Sequence, residues 1–219
     1  MGNREIAGKT VLITGAYGGI GRALVNSFLA ADAARIIAAS RSPHPVDDPR
    51  IVPLALDVRS RAAARMVAAA HRVDILVNNA GVNTNAAALA GAESDNARNE
   101  MDVNYFGVLN LSSALSPQMT TRGEGVIVNI LSAGSLKLVP RMSTYCASKA
   151  AAWFLTQALR SDLSGTGVAV LAIFPRATDT VLTAHLDVPK LAPATVADAT
   201  VQAIRDGVAD LHFALPAED

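Results

Sequence analysis

Tyr145 and Lys149 stand four residues apart in the run Met142-Ser-Thr-Tyr-Cys-Ala-Ser-Lys-Ala-Ala-Ala-Trp-Phe-Leu155. The alanines, with Leu155, Ala158 and Leu159 beyond them, are strong helix formers, so the two side chains fall one turn apart on one face. A rise of ~1.5 Å per residue separates their α-carbons by roughly 6 Å along the axis. An ammonium at that distance favours a phenolate, drawing a pKa that starts near ~10 toward the range in which tyrosine exchanges protons at neutral pH. The pentapeptide alone also fits a surface Tyr and Lys that share a helix face, so the rest of the chain must decide.

Other polar residues stand at the ends of apolar runs. Lys9-Thr-Val-Leu-Ile-Thr14 reads as a strand and leads into Gly15-Ala-Tyr-Gly-Gly-Ile-Gly21, with an amphipathic helix over Arg22 to Ala31. Strand, glycine turn and helix N-terminus can bring bare backbone amides to a pyrophosphate. In that arrangement Gly15 makes the turn, Gly19 admits the phosphates and Gly21 lets helix and strand approach. The strand Arg35 to Ser40 ends in Ser40-Arg41, where a ribose-binding acid would stand in an NAD site. A hydroxyl and a guanidinium suit a 2′-phosphate instead, although Asp47 and Asp48 also compete for this arginine. Asp57 follows the strand Ile51 to Leu56 and can accept from an adenine amino group or cap the helix Ser60 to Ala70. Asn78-Asn-Ala-Gly81 follows the strand Val73 to Val77 and can brace neighbouring strands or form a polar turn. Asn104 lies in a helix predicted from about Asp95 to Gln118, where an asparagine marks a kink, a water site or an exposed face. Ser132, with Ser135 as competitor, follows the strand Gly125 to Leu131 and points toward the same crevice as the glycine turn.

The elements needed to hold these residues alternate strand and helix along the whole chain. Together with an apolar strand Val168 to Phe174, a helix from about Ala194 to Asp206 and a short strand Leu211 to Ala214, they predict an α/β fold. Its form is a single-domain, Rossmann-type doubly wound parallel sheet of about seven strands with helices on both faces, over residues 1–219. Lys and Arg number 19 and Asp and Glu 19, so net charge supports neither a nucleic acid nor an anionic membrane as partner and leaves a small molecule. The single cysteine, Cys146, makes no internal disulfide, and no Cys or His cluster has metal-ligand spacing. Without an apolar run suited to a signal peptide or membrane span, and with Ile6 where N-myristoylation wants Ser or Thr, a cytoplasmic protein is expected.

Taken together, these residues carry a resemblance over essentially the whole length to the short-chain dehydrogenase/reductase family. Thr14-Gly-Ala-Tyr-Gly-Gly-Ile-Gly21 is similar to its Thr-Gly-x-x-x-Gly-x-Gly turn, Asn78-Asn-Ala-Gly81 to its Asn-Asn-Ala-Gly motif, and Tyr145 with Lys149 to its Tyr-x-x-x-Lys pair. Ser132 lies thirteen positions before Tyr145, a usual family spacing, and Asn104 falls at the family's asparagine. The resemblance implies hydride transfer between a nicotinamide and a ketone or aldehyde. Ser132 would polarise the carbonyl oxygen, Tyr145 exchange its proton, Lys149 tune the phenol and hold the nicotinamide ribose, and Asn104 hold a relay water. It further implies cofactor contacts from Gly15, Tyr17, Gly19, Ile20, Gly21, Ser40, Arg41, Asp57, Val58, Asn79, Ala80, Gly81, Tyr145, Lys149, Pro175, Thr178 and Thr180, with NADP(H) preferred over NAD(H). Ala133, Leu138 and Arg176 would line the substrate pocket.

Three departures from the family pattern bear on function. Pro175-Arg176 replaces Pro-Gly, and the arginine either turns to solvent, at some cost if the backbone wants positive φ, or enters the pocket. The segment between Thr180 and Ala194 is short, which predicts an open site for bulky carbonyl compounds. The end, Asp210 to Asp219, lacks the family's glycine-rich segment, so a dimer through the two long helices is expected ahead of a tetramer. The expected activity is that of a carbonyl reductase or alcohol dehydrogenase. The alternative is a catalytically silent dinucleotide-binding regulator, or a structural subunit whose pocket Arg176 blocks.

Overall fold

Apolar residues alternate between two cores along each central strand, and this sidedness sets the layers. Val11 and Ile13 of β1 (Thr10–Thr14) face one core while Leu12 faces the other, and Ile36 and Ile37 of β2 (Arg35–Ser40) divide in the same way. A strand buried on both faces needs helices above and below. Leu24, Val25 and Phe28 of α1 (Gly19–Ala30) and Val196, Val201 and Ile204 of α7 (Pro193–Asp206) cover the first face. The second is covered by α2 (Arg61–Ala70), α5 (Gly107–Arg122) and α6 (Ser143–Asp162), through Val67, Leu111, Leu115, Met119 and Leu159.

The computed structural model describes residues 4–91 and 95–213. Gly2 and residues 214–219 lie outside these, so the lipidation reading and the end of the C-terminal segment have no structural counterpart here. The remaining strands are β3 (Ile51–Ala55), β4 (Ile75–Asn78), β5 (Gly125–Ile130), β6 (Val168–Phe174) and β7 (Asp210–His212). All pair in parallel in the order β3-β2-β1-β4-β5-β6-β7. Leu12 pairs with Ile37 on one side and Leu76 on the other, which makes β1/β4 the point where the strand order reverses. A crevice opens there beyond the carboxyl ends of the strands.

The sequence predicts a long helix from about Asp95 to Gln118 with a kink at Asn104 among its readings, and the chain forms three segments there. After the single turn α3 (Ala88–Gly91), α4 (Asn96–Met101) passes into a π-helical turn over Asp102–Phe106 and then into α5. The wider turn carries Asn104. Gly107 begins α5 directly against Val58, whose Cγ2 lies 2.7 Å from where a Cβ would stand, so the helix reaches the sheet at a point a larger residue would block. Hydrophobic period alone does not reveal such an extra residue. The helix at Arg61 is capped by Ser60, whose hydroxyl accepts from the Ala63 amide at 3.1 Å. The expectation that Asp57 caps it is therefore corrected: Asp57 accepts instead from the Arg59 amide and guanidinium.

Candidate active site

The glycine turn is held by the two strands that flank the crevice. Gly15 has φ +63°, a conformation favouring glycine, and a Cβ on Gly21 would stand 2.0 Å from the Gly15 carbonyl oxygen. The Thr14 hydroxyl accepts from the Asn79 and Ala80 amides at 3.0 and 2.9 Å, while Asn79 Nδ2 donates back to the Thr14 and Gly15 carbonyls. Asn79 thus braces β4 against the turn. Asn78 does the same below it, donating to Asn129 Oδ1 of β5 at 2.9 Å and to Ser112 of α5. Asn129 then donates to Thr156 of α6 at 2.9 Å, and all four side chains are buried. Thr14 belongs to the glycine-turn motif, whereas Ser112, Asn129 and Thr156 had no motif to mark them; a polar residue inside an otherwise apolar strand is the only signal that could have found Asn129.

Beside this turn lies a cleft of about 190 Å³ lined by Gly15, Ser40, Arg41, Asp57, Val58, Ala80 and Gly81 among others. Seven predicted cofactor residues therefore share one surface. Ser40 Oγ is buried there without a hydrogen-bond partner. Arg59 also lines the cleft and escaped the sequence reading. Its guanidinium lies 2.6 Å from the Asp57 carboxylate and holds that carboxyl below the usual range. Tyr17 leans away from the turn, with its hydroxyl on the His44 carbonyl at 3.0 Å and its ring against the imidazole. Ile20 packs on the α1 side of the core.

The four residues expected to carry chemistry meet at the ends of β5 and the start of α6. Ser132 follows β5; its hydroxyl accepts from the Gly134 amide at 3.0 Å and lies near enough to the Tyr145 phenol to lower its pKa. Ser135 is not a competitor, because its own hydroxyl accepts from the Ser132 amide and closes a capping box. Lys149 Nζ donates to the Ile130 carbonyl at 2.8 Å and lies 6.0 Å from the Tyr145 ring centroid. Asn104, 1% exposed, accepts from the Val82 amide and donates to the Val82 carbonyl and to Ser148, each at 2.9 Å. Of the three readings open for an asparagine in this helix, an exposed face is thereby excluded. Asn104 Oδ1 and Lys149 Nζ both border Gly81, at 3.3 and 3.5 Å from where its Cβ would stand.

Burial reverses one sequence expectation. The phenol of Tyr145 is pushed up to about 12 by desolvation, which outweighs the lowering by the Ser132 hydroxyl, and Cys146 and Glu100 add to the rise. Lys149 is brought down to about 8 by the same loss of water. Its ammonium is directed to a backbone carbonyl rather than held against the phenol oxygen. The expected lowering of Tyr145 is thus corrected for the protein with no bound cofactor.

The Pro175 to Leu191 segment closes the other side. Pro175 is buried and its carbonyl accepts from Ala133 at 2.9 Å. Arg176 is half-buried and has no positive φ, so it replaces glycine without the strain considered from the sequence. Its Nη1 donates to the Pro189 carbonyl at 3.0 Å, and its Nε is buried without a partner. Thr178 bonds to the Arg176 carbonyl and pairs with Leu191, whereas Thr180 lays its methyl group on Gly19. Ala133 and Leu138 are exposed, and the Arg176 guanidinium is tied to Pro189.

A doubly wound parallel sheet with a glycine turn at its switch point, a cleft beside that turn and a half-buried Ser with a buried Tyr, Lys and Asn next to it defines a dinucleotide-binding protein. Comparison with known proteins narrows this class. The family model described as short chain dehydrogenase matches residues 9–190. Dehydrogenase/reductase SDR family protein 7-like of Anopheles gambiae is 35% identical over 197 residues, covering 82% of this chain and 62% of that protein, so the chain spans about six tenths of this relative's length. Ketoacyl reductase HetN of Nostoc is 32% identical, with 92% of this chain and 77% of that protein covered. A short chain dehydrogenase from Burkholderia cenocepacia J2315, solved in complex with NADP, superposes with a TM-score of 0.91 at 32% identity, covering 97% of this chain and 90% of that one. The chain belongs to the short-chain dehydrogenase/reductase family, a family of oxidoreductases.

Proposed function

We propose that the protein is an NADP(H)-dependent oxidoreductase that interconverts a ketone or aldehyde and the corresponding alcohol, with Tyr145 as the group that gives and takes the proton. The observation that carries this reading is the convergence of buried Tyr145, Lys149 and Asn104 with half-buried Ser132 beside the glycine turn. When bound, the reduced nicotinamide supplies the hydride. The fit for the dinucleotide rests on the orphaned Ser40 hydroxyl and on Arg41 and Arg59 in the same cleft, which suit a 2′-phosphate. Gly15, Gly19 and Gly21 would hold the pyrophosphate, and Pro175, Thr178, Thr180 and Lys149 the nicotinamide half.

Ser132 donates to the carbonyl oxygen as it gains charge, and Tyr145 protonates it. Asn104, held on α6 through Ser148, keeps the proton path to Lys149 in place. The raised pKa of the phenol leaves Tyr145 protonated at neutral pH, the state needed to reduce a carbonyl. The same residues take a proton from an alcohol only once Tyr145 is deprotonated, so oxidation should gain with rising pH while reduction holds through neutrality. The substrate is a small molecule admitted past the short Thr180 to Ala194 segment, and the working setting is a homodimer in a reducing cytoplasm.

The test is a panel of ketones and aldehydes run with NADPH and with NADH, following loss of reduced-nicotinamide absorbance. Turnover is expected to be faster with NADPH. Tyr145→Phe is expected to lower kcat by about 10² or more, the usual worth of a positioned acid, while NADPH binding persists. A Tyr145→Phe enzyme as active as the parent would overturn the mechanism.

A further inference from the structure

Glu100 is a carboxylic acid 0% exposed to solvent, on α4 one helical turn before Asn104. A carboxyl without water needs partners. One of its oxygens, Oε1, accepts from both the amide and the hydroxyl of Thr84, each at 2.7 Å. The other, Oε2, is buried with no hydrogen-bond partner among the described residues. Asn104 makes the equivalent pair of bonds two residues earlier, to the amide and carbonyl of Val82. The two spacings match, because two residues of extended chain span roughly 6.6 Å and four residues of helix roughly 6 Å. Two side chains on one helix face thus read alternate residues of the segment that leaves Gly81. Thr144, next to Tyr145, takes the far end of the same segment through the Ala86 carbonyl at 3.3 Å.

We propose that Glu100 is a positioning residue for the reaction: with Asn104 it clamps the Val82 to Ala86 segment as a fixed wall beside Tyr145, and it places an unpaired carboxyl oxygen behind that wall. Resting on the carbonyl-reductase reading, the inference concerns what keeps the substrate side of the site in shape. A glutamine would supply the same acceptor to Thr84, so the bonds alone do not require an acid. What an acid can add is an electrostatic influence on the phenol, the smallest of those that raise the Tyr145 pKa, after burial and Cys146. The other groups facing that phenol are Ser132 from the end of β5 and Cys146 and Lys149 on α6 itself. The neighbouring Leu186 is apolar, and His185 and Asp187 beside it are exposed.

Glu100→Gln and Glu100→Ala separate the two contributions, with ethyl acetoacetate and NADPH as the probe pair and amide hydrogen exchange as a readout independent of turnover. Glu100→Ala is expected to lose protection at the Thr84 amide and to raise KM about tenfold, the usual scale for losing bonds to a charged acceptor. Glu100→Gln is expected to keep Thr84 protected and KM within about twofold, while the alkaline limb of the reduction profile moves to lower pH as the charge disappears. If the alanine variant fails to fold, Thr84→Val removes one of the two bonds and should raise KM in the same direction. Wild-type exchange at Thr84 and wild-type KM in Glu100→Ala would overturn the clamp, and an unmoved limb in Glu100→Gln would overturn the role of the charge. A parent protein that consumes no carbonyl would overturn the activity reading, while exchange at Thr84 would still decide the clamp.

Discussion

Burial pushes Tyr145 up and Lys149 down, so both side chains favour their neutral forms for one reason, the loss of water. For Lys149 this has a consequence for stability. Its pKa falls from 10.5 unfolded to about 8 folded, so between those values the unfolded chain binds the extra proton and stability rises with pH. Below about pH 8 the folded state carries a buried ammonium at a cost on the order of 3 kcal/mol, set against its bond to Ile130. Lys149→Met is therefore expected to be more stable than the parent at neutral pH, with the advantage shrinking as pH rises. Urea unfolding of both proteins at about pH 7 and about pH 10 checks this, and a difference independent of pH would contradict it. A residue that destabilises its own fold in this way fits a site kept for function rather than for stability.

At the scale of elements, Arg176 adds a side-chain tie to the backbone bonds that join Ala177 and Asp179 to Leu191. The Nη1 bond to Pro189 and the pairing of Thr178 with Leu191 tie the two ends of the Pro175 to Leu191 segment together. Arg176→Gly removes the tie and adds backbone freedom where no positive φ calls for glycine. One lost hydrogen bond is worth about 1 kcal/mol, so KM for bulky ketones should change by about fivefold while small aldehydes are less affected. Steady-state kinetics over a size series decides it; an unchanged profile would leave Arg176 as a surface tie with no part in specificity. The π-helical turn shows the opposite relation between sequence and element. Residues 95–118 read as one helix because their helical character is continuous, but Asn104 must reach Val82 and Ser148 while Gly107 rests on Val58, and one widened turn satisfies both.

For the molecule as a whole, the face of α6 away from the sheet carries Phe154 at 73% exposure, and Phe106 lies 43% exposed on the adjoining π-helical turn. Two large aromatics in water on neighbouring elements are the features most readily covered by a second copy. The proposed dimer uses this face, and Phe154→Glu is expected to convert it to monomer in sedimentation experiments without loss of fold. A parent protein that sediments as a monomer would remove the proposal.

The strands and helices, their order and the parallel sheet were legible in the chain, because period-2 and period-3.6 patterns and glycine turns are local properties. The chain likewise carried Gly15, Gly19 and Gly21, the pair Tyr145 and Lys149, and the strand-end polar residues Ser132 and Asn79 as candidates, with a plain structural reading open for each until the family resemblance joined them. Tertiary structure alone decided what surrounds them. It joined Asn78 to Asn129 and Thr156 across 51 and 27 residues of separation, brought Arg59 into the cleft, gave Asn104 its place in a π-helical turn and set Glu100 behind the wall at Thr84. It also turned the expected lowering of the Tyr145 pKa into a rise. The spacing of Tyr145 and Lys149 specifies how near an ammonium can come to a phenol; how much water is removed from both depends on residues far away in the chain, and in this protein that removal is the larger effect.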